Sequence, residues 1–174
     1  MLTPLYSVLL AQGASENYSW VLDTDGIDAG EEYLIVNDTA ANSTALVRDN
    51  YNNIAAQAVV VRDGNTIEKF DGDENAAFVF SAGTTGTTAT SNTVKNDDLY
   101  LHIGTGSLSY DTSSQTISVR RYTAGYYRMY ASVSYLTRYI RYYNGSWSAN
   151  TSNNSTSNSK KCFTSRSFVI RNHN

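Results

Sequence analysis

The sequence Glu32-Tyr33-Leu34-Ile35-Val36 is the strongest indication of the fold, because it is the first of three similar segments in the chain. The second segment is Leu99-Tyr100-Leu101-His102-Ile103, and the third is Arg138-Tyr139-Ile140-Arg141-Tyr142. Short apolar or alternating runs of this kind are typical of β-strands. A strand pattern that recurs three times in one chain indicates a repeated structural unit.

A short turn follows each segment and leads to a second run. The second runs are Thr44-Ala45-Leu46-Val47, Gly106-Ser107-Leu108-Ser109 and Gly145-Ser146-Trp147-Ser148. The later two turns contain Gly104-Thr105-Gly106 and Asn144-Gly145. Glycine-rich and Asn-Gly turns between such runs are strong short-range signals of a β-hairpin. The sequence therefore predicts three hairpins in an all-β protein.

Further short runs bring the predicted total to about twelve strands, with almost no helical signal. They divide into three pseudo-repeats at about residues 20–76, 77–125 and 126–172, within one module that spans residues 1–174. Three such units favour a β-trefoil-like fold, in which six strands close a barrel and three hairpins cap it. A β-sandwich is the alternative, since it also accepts many short strands.

The first segment makes a specific prediction about burial. Successive side chains of a strand point to opposite faces. Leu34 and Val36 should therefore share one face of the sheet, and Tyr33 and Ile35 should share the other.

The composition is typical of an extracellular β-module rather than of a cytosolic enzyme. Charged residues make up only 17% of the chain, and tyrosine occurs fourteen times. Cys162 is the single cysteine, so the chain has no intrachain disulfide. Its apolar runs are too short for a transmembrane helix. We expect a secreted or cell-surface protein that does not insert into the membrane.

Charge is distributed unevenly along the sequence. Residues 1–100 contain fifteen acidic and four basic side chains, whereas residues 101–174 contain one acidic and nine basic ones. Either the two halves interdigitate and neutralise each other, or the second half forms a basic face that favours an anionic partner such as a sulfated or sialylated glycan. The candidates for that face are Arg120, Arg121, Arg128, Arg138, Arg141, Lys160, Lys161 and Arg166. No nucleic-acid motif accompanies the charge, so we expect no nucleic-acid partner.

The most informative candidate site surrounds the turn Asn144-Gly145. Arginines are interleaved with the aromatic residues there, and rings with polar neighbours are common in recognition sites. The alternative is that the rings fill the core or form cross-strand pairs. The predicted ligand-binding residues are Trp147, Tyr143 and Tyr142 for stacking on sugar rings, Asn144 for a hydroxyl group and Arg141 for an acidic group; Tyr139 and Arg138 belong to the same cluster.

Catalytic and metal sites find little support in the sequence. Asp23-Thr24-Asp25-Gly26-Ile27-Asp28 resembles a calcium loop, but the glycine is fourth rather than sixth, and Leu34 occupies the twelfth position, where an EF-hand needs glutamate. We interpret it as a polar turn. His102 lies within the second strand segment, where a structural role is expected. The prediction is a protein without catalytic residues, metal or cofactor.

The segment Asp28-Ala29-Gly30-Glu31-Glu32-Tyr33-Leu34-Ile35-Val36-Asn37, with Thr44-Ala45-Leu46 after it, resembles a Tyr/Ser/Gly-rich β-repeat module. Such modules belong to large secreted or cell-surface proteins of gut Gram-positive bacteria. Asp97-Asp98-Leu99-Tyr100-Leu101 is similar to the middle hairpin of the module, and Tyr139-Ile140-Arg141-Tyr142-Tyr143-Asn144-Gly145-Ser146-Trp147-Ser148 is similar to the last. The resemblance implies a non-catalytic accessory module beside glycan-degrading or adhesive domains.

The sequence thus favours a carbohydrate-binding accessory module, monomeric within a larger chain. Its expected partner is a glycan, with anionic glycans included. The alternative is a protein-binding adhesin domain or structural spacer that meets a host surface protein.

Overall fold

A computed structural model describes residues 18–38, 43–63, 65–68, 70–72, 75–84, 86–123, 125–151 and 160–167. For residues 18, 19 and 160–167 the description is of the backbone. This part of the chain is all-β, as predicted, and contains no α-helix.

The described strands are short, from three to eight residues, and every pairing between them is antiparallel. In chain order they are β1 (Tyr18–Leu22), β2 (Glu32–Asp38), β3 (Ser43–Arg48), β4 (Ile54–Val59), β5 (Thr66–Glu68), β6 (Phe78–Phe80), β7 (Thr90–Asn92), β8 (Val94–Asn96), β9 (Leu99–Ile103), β10 (Leu108–Asp111), β11 (Ile117–Thr123), β12 (Tyr126–Val133), β13 (Leu136–Tyr143), β14 (Ser146–Asn150) and β15 (Lys160–Ser167).

Three strands each pair with three neighbours, which joins the strands into a sandwich-like arrangement. The longest path runs β10-β9-β8-β6-β2-β15-β12-β11-β7, and the other six strands attach to its sides. Strand β2 pairs through Tyr33 with Phe78 of β6, but through Val36 with Ala45 of β3. Strands β12 and β15 change partners along their length in the same way. Such changes allow one strand to contribute to two layers.

Strand β2 lies between two hydrophobic cores. Tyr33 and Ile35 belong to the larger core, and Leu34 and Val36 belong to the smaller one. All four side chains are essentially inaccessible to solvent. The predicted alternation is therefore confirmed. Burial on both faces explains why the segment is continuously apolar rather than alternating with polar residues.

The three predicted hairpins are present, but the three pseudo-repeats of a trefoil are not confirmed. The hairpins are β2–β3, β9–β10 and β13–β14. They join the rest of the protein differently: β2 is central and buried on both faces, whereas β10 ends the strand path and β14 pairs only with β13 among the described strands. Equivalent repeats would place their hairpins in equivalent surroundings.

Asp98 and Asp49 are two of the surface carboxylates whose pKa is lowered in the folded protein. The Arg48 side chain donates a hydrogen bond to Asp98 at 2.8 Å and holds its pKa below the usual 3.8; the Asn53 backbone N–H does the same for the pKa of Asp49. A pKa lowered by folding contributes stability above the unfolded value, and this stability is lost as the pH falls below about 3.8.

We therefore expect the urea midpoint to fall between about pH 5 and pH 2, by a modest amount because both groups are exposed to solvent. Asp98→Asn should make the midpoint less dependent on pH over the same range. Equilibrium unfolding at a series of pH values checks this. A midpoint in the wild type that is constant from pH 5 to pH 2 would contradict it.

Candidate functional site

The β13–β14 hairpin carries the predicted site and has the turn that its sequence requires. Tyr143 pairs with Ser146, which leaves Asn144 and Gly145 as a two-residue loop. Their φ angles are 53° and 80°. Two positive φ angles define a type I′ turn, and Asn-Gly is its preferred sequence because both residues tolerate this conformation. The turn fixes the register and therefore the face on which each neighbouring side chain lies.

One face of this hairpin lies in the core. Tyr142 and Trp147 are direct cross-strand partners, with ring centroids 5.2 Å apart. Trp147 is only 6% exposed, and its neighbours Ile140 and Ala149 on the same face are buried as well. Tyr142 packs against the same core. The structure therefore places the Trp147 ring inside the protein, and the Tyr142 ring is half-buried against the same core.

The opposite face brings the other predicted residues to the surface. The Arg141 guanidinium lies 4.6 Å from the centroid of the Tyr143 ring, and Tyr143 is 57% exposed. Asn144 is exposed at the adjoining turn. Arg141 makes no ion pair with any carboxylate of the described residues. A cation held over a π face keeps its full charge while its orientation is restrained.

A pair of tyrosines continues this face onto the next strand. Tyr139 lies two residues before Arg141, and it pairs directly with Tyr130 of β12. The two ring centroids are 5.2 Å apart, with the planes tilted by 43°. Tyr139 belongs to the cluster predicted from the sequence, but Tyr130 does not. Only the register between β12 and β13 shows that the rings meet.

A second cation–ring contact on this face joins β11 and β12. The Arg128 guanidinium is 4.2 Å from the centroid of the Tyr122 ring, which is 49% exposed. Arg128 pairs directly with Arg120 of β11, and the Arg120 Nε–H donates to the Thr87 carbonyl at 2.9 Å. Both arginines belong to the basic face predicted from the sequence, but no sequence pattern indicates this arrangement.

We refer to this surface as the Tyr/Arg face. On the other side of these strands, Tyr127, Met129 and Ala131 of β12 and Ile140 of β13 are buried, so this face is their solvent side. Its seven residues are Arg120, Tyr122, Arg128, Tyr130, Tyr139, Arg141 and Tyr143.

The predicted basic face is thus smaller than the sequence suggested. Arg121 and Arg138 lie on the other side of their strands, where they donate to the carbonyls of Thr24 and Thr105. The side chains of three further candidates, Lys160, Lys161 and Arg166, lie outside the described residues.

The alternative prediction, neutralisation between the two halves of the chain, has little support in the described ion pairs. These join Arg48 to Asp97 and Asp98, and Arg62 to Glu68. All of these residues belong to the first half. The two halves nevertheless share one sheet, because β15 pairs with β1 and β2.

The other candidates from the sequence have structural roles. Asp23 accepts hydrogen bonds from the backbone N–H groups of Asp25 and Gly26, both at 3.0 Å, so this segment is the expected polar turn. The His102 Nε2 atom lies 2.6 Å from the Ser113 carbonyl oxygen, in agreement with the expected structural role.

An open cleft of about 520 Å³ lies elsewhere on the surface. It is lined by Glu32, Asn75, Ala77, Val79, Lys95 and Asp97. None of these side chains is aromatic, and their charges are of both signs. The cleft therefore offers no stacking surface of the kind that the Tyr/Arg face provides.

Within the ranges given above, no helix is long and apolar enough to cross a membrane. In the same part of the chain, no three His, Cys, Asp or Glu side chains form a group that could hold a metal ion. No family model, no curated protein and no solved structure matches the chain.

Proposed function

We propose that the chain is a non-catalytic module that binds carbohydrate through the Tyr/Arg face. The observation that carries the proposal is the alternation of tyrosine rings and arginines on the solvent side of β12 and β13. Tyr130 and Tyr139 form the centre of this surface, and Tyr143 extends it.

The chemistry of the face suits sugar rings. A hexose has an apolar face of C–H groups that can pack on a flat aromatic ring, and hydroxyl groups at its edge that accept hydrogen bonds from guanidinium groups. The contacts between Arg141 and Tyr143 and between Arg128 and Tyr122 restrain the side chains before a ligand arrives. Restraint of this kind lowers the entropy lost on binding.

The length of the face favours an oligosaccharide over a single sugar. Tyr139 and Tyr143 are four residues apart on β13, a separation of about 13 Å along a strand. A polymer chain that lies along the strand could therefore contact both rings with different sugar units.

The proposed setting is a secreted or cell-surface protein, with the module beside glycan-degrading or adhesive domains. The composition and the resemblance to accessory modules of gut Gram-positive bacteria support this setting. The non-catalytic assignment is supported by the chemistry of the face. Glycoside hydrolysis ordinarily needs two carboxyl groups beside the scissile bond, and the seven residues of the Tyr/Arg face supply rings and cations.

Loss of one ring tests the proposal. We expect Tyr139→Ala to weaken binding to the best glycan on a glycan array about tenfold, because a central aromatic anchor commonly contributes more than 1 kcal/mol. Tyr51→Ala is the matched control, since Tyr51 is an exposed tyrosine on a loop between β3 and β4. The wild type at high module density should retain at least one glycan. Absence of any binding, or equal losses in the two variants, would contradict the proposal.

One observation favours the second candidate, a protein-binding adhesin domain or spacer. The β12–β13 turn presents Tyr135, which is fully exposed, beside Leu136, which is 51% exposed. Apolar side chains at a hairpin tip are suited to contact with another protein. Tyr135→Ser should reduce capture of a host surface protein under this hypothesis and leave glycan binding unchanged under the first.

A further inference from the structure

We infer that the open cleft lined by Glu32 and Lys95 binds short peptides with free termini. The Glu32 carboxylate contacts the ammonium group of the peptide, and the Lys95 ammonium contacts its carboxylate. This site is separate from the proposed glycan site, because its residues lie on or beside β2, β6 and β8, and none of them belongs to the Tyr/Arg face. Either assignment can therefore fail without the other.

Three side chains lie in a row across adjacent strands at this cleft. Strand β6 lies between β2 and β8, and Val79 pairs directly with Glu32 on one side and with Lys95 on the other. Directly paired residues share one face of a sheet. Phe78 and Phe80, the neighbours of Val79 in the chain, are fully buried, so the row lies on the solvent side.

The two ends of this row carry opposite charges that do not neutralise each other. Two steps across the sheet separate the Cβ atoms of Glu32 and Lys95 by about 10 Å. The Lys95 ammonium lies 5.2 Å from the centroid of the Tyr100 ring, on the side of β8 away from Glu32. Among the described residues, neither side chain forms an ion pair. Exposed charges more than about 8 Å apart are largely screened at physiological salt, so both charges are available to a ligand.

The other carboxylate of the cleft already has a partner within the protein. Asp97 Oδ2 lies 3.7 Å from Arg48 Nη2, and the same guanidinium donates to Asp98 at 2.8 Å. A ligand therefore meets one carboxylate and one ammonium group that are not engaged in ion pairs, those of Glu32 and Lys95.

The space between these two charges is apolar and of suitable size. Val79 lies between them, with Ala77 two residues before it in the chain, and both side chains are half-buried. The volume of about 520 Å³ lies within the usual range of small-molecule sites. The fully buried Asn96 donates from Nδ2 to the Asn75 carbonyl at 2.8 Å, which holds one wall of the cleft in place.

A short peptide with free termini complements this arrangement. An extended dipeptide is about 7 Å long, and one ion-pair contact of up to about 4 Å at each end brings both charges of the cleft within reach. Its uncharged centre then lies over Val79. A ligand with one charge gains only one of the two contacts. Ion pairs at a surface are individually weak, so we expect a dissociation constant of about 1 mM.

The experiment removes one charge at a time from the ligand and from the protein. The probes are four forms of glycyl-valine: with both termini free, N-acetylated, C-amidated, and blocked at both ends. Each is titrated into the ¹⁵N-labelled chain, and backbone amide resonances report weak binding and its location. The proteins are the wild type, Glu32→Gln, Lys95→Gln and the matched control Glu68→Gln. Glu68 is an exposed carboxylate on β5 that pairs with Arg62.

We expect the free dipeptide to shift the amide resonances near Glu32, Val79 and Lys95 in the wild type. Blocking either terminus should weaken binding about threefold, the effect expected of one surface ion pair. Glu32→Gln should remove the discrimination against the N-acetylated form and keep that against the amidated form. Lys95→Gln should do the reverse, and Glu68→Gln should behave as the wild type.

Four results would overturn the inference, and each leaves the glycan proposal intact. The first is the absence of shifts near the cleft with the free dipeptide. The second is equal affinity for all four forms in the wild type. Equal losses in all three variants would indicate non-specific attraction. Shifts at the cleft with maltose but not with the dipeptide would assign it to neutral sugars. The dispersion of the amide spectrum shows whether a variant is folded; if Lys95→Gln is not, Lys95→Met takes its place.

Discussion

Replacement of Trp147 by alanine is expected to lower the free energy of unfolding by about 3–5 kcal/mol. The side chain is 6% exposed, belongs to the larger core and contacts the Tyr142 ring. Truncation would remove buried apolar surface and leave a cavity that the two strands of the hairpin cannot easily close, because their register is fixed by the turn. Equilibrium unfolding in urea measures the effect.

The neighbouring Tyr143 supplies the control for this prediction. It lies on the same hairpin but on the solvent face, so Tyr143→Ala should change the free energy of unfolding by only about 0.5 kcal/mol. Trp147→Phe keeps a ring in the core and should have an intermediate effect. Equal stability of Trp147→Ala and Tyr143→Ala would show that the assignment of faces in this hairpin is wrong.

Replacement of Gly125 by alanine is expected to destabilise the protein through two separate effects. Gly125 has a φ angle of 79°, and a side chain costs about 1–2 kcal/mol in this region. A Cβ atom at this position would also lie 2.9 Å from the Leu22 side chain, so Leu22 would have to move. Overpacking of this kind commonly costs about 1–3 kcal/mol more.

Comparison with Gly145→Ala distinguishes the conformational cost from the cost of the close contact. Gly145 has nearly the same φ angle, 80°, but no atom lies within 4 Å of a Cβ built there. Gly145→Ala should therefore show the conformational cost alone, and Gly125→Ala should be the less stable variant by urea unfolding. If the two variants were equally stable, the close contact between Leu22 and the turn before β12 would be refuted.

The local features of the fold could be predicted from the sequence. Asn144-Gly145 specifies its own turn type, because the sequence preference and the required φ angles coincide. The faces of the segment from Tyr33 to Val36 follow from the period of a strand. Because successive residues of a strand point to opposite faces, the sequence of β13 also predicts that Tyr142 lies on the buried side, with Ile140.

The remaining features depend on contacts between distant parts of the chain. The β12–β13 turn is formed by Ser134 and Tyr135, with φ angles of 52° and 65°. Neither residue favours this conformation, so no local signal predicts the turn. The contact of Tyr130 with Tyr139 depends on that turn, because it sets the register of the two strands.

The pairing of strand β15 also cannot be predicted from local sequence, because its partners are distant in the chain. This strand pairs with β2 over more than a hundred residues of intervening sequence, and with β12 at its other edge. A regular trefoil was expected because the three hairpins are similar locally. Pairing through β15 gives each hairpin different surroundings, and the sequence contains no short-range signal for that pairing.

The most direct test of the account is to locate the bound glycan on the protein. Titration of ¹⁵N-labelled protein with the glycan of highest affinity on the array should shift backbone amide resonances of β11, β12 and β13, with the largest changes near Tyr130, Tyr139 and Tyr143. Resonances near the cleft lined by Glu32 and Lys95 should stay unchanged. Shifts centred on that cleft or on the β9–β10 hairpin, with none on β11–β13, would contradict the assignment of the Tyr/Arg face as the binding surface.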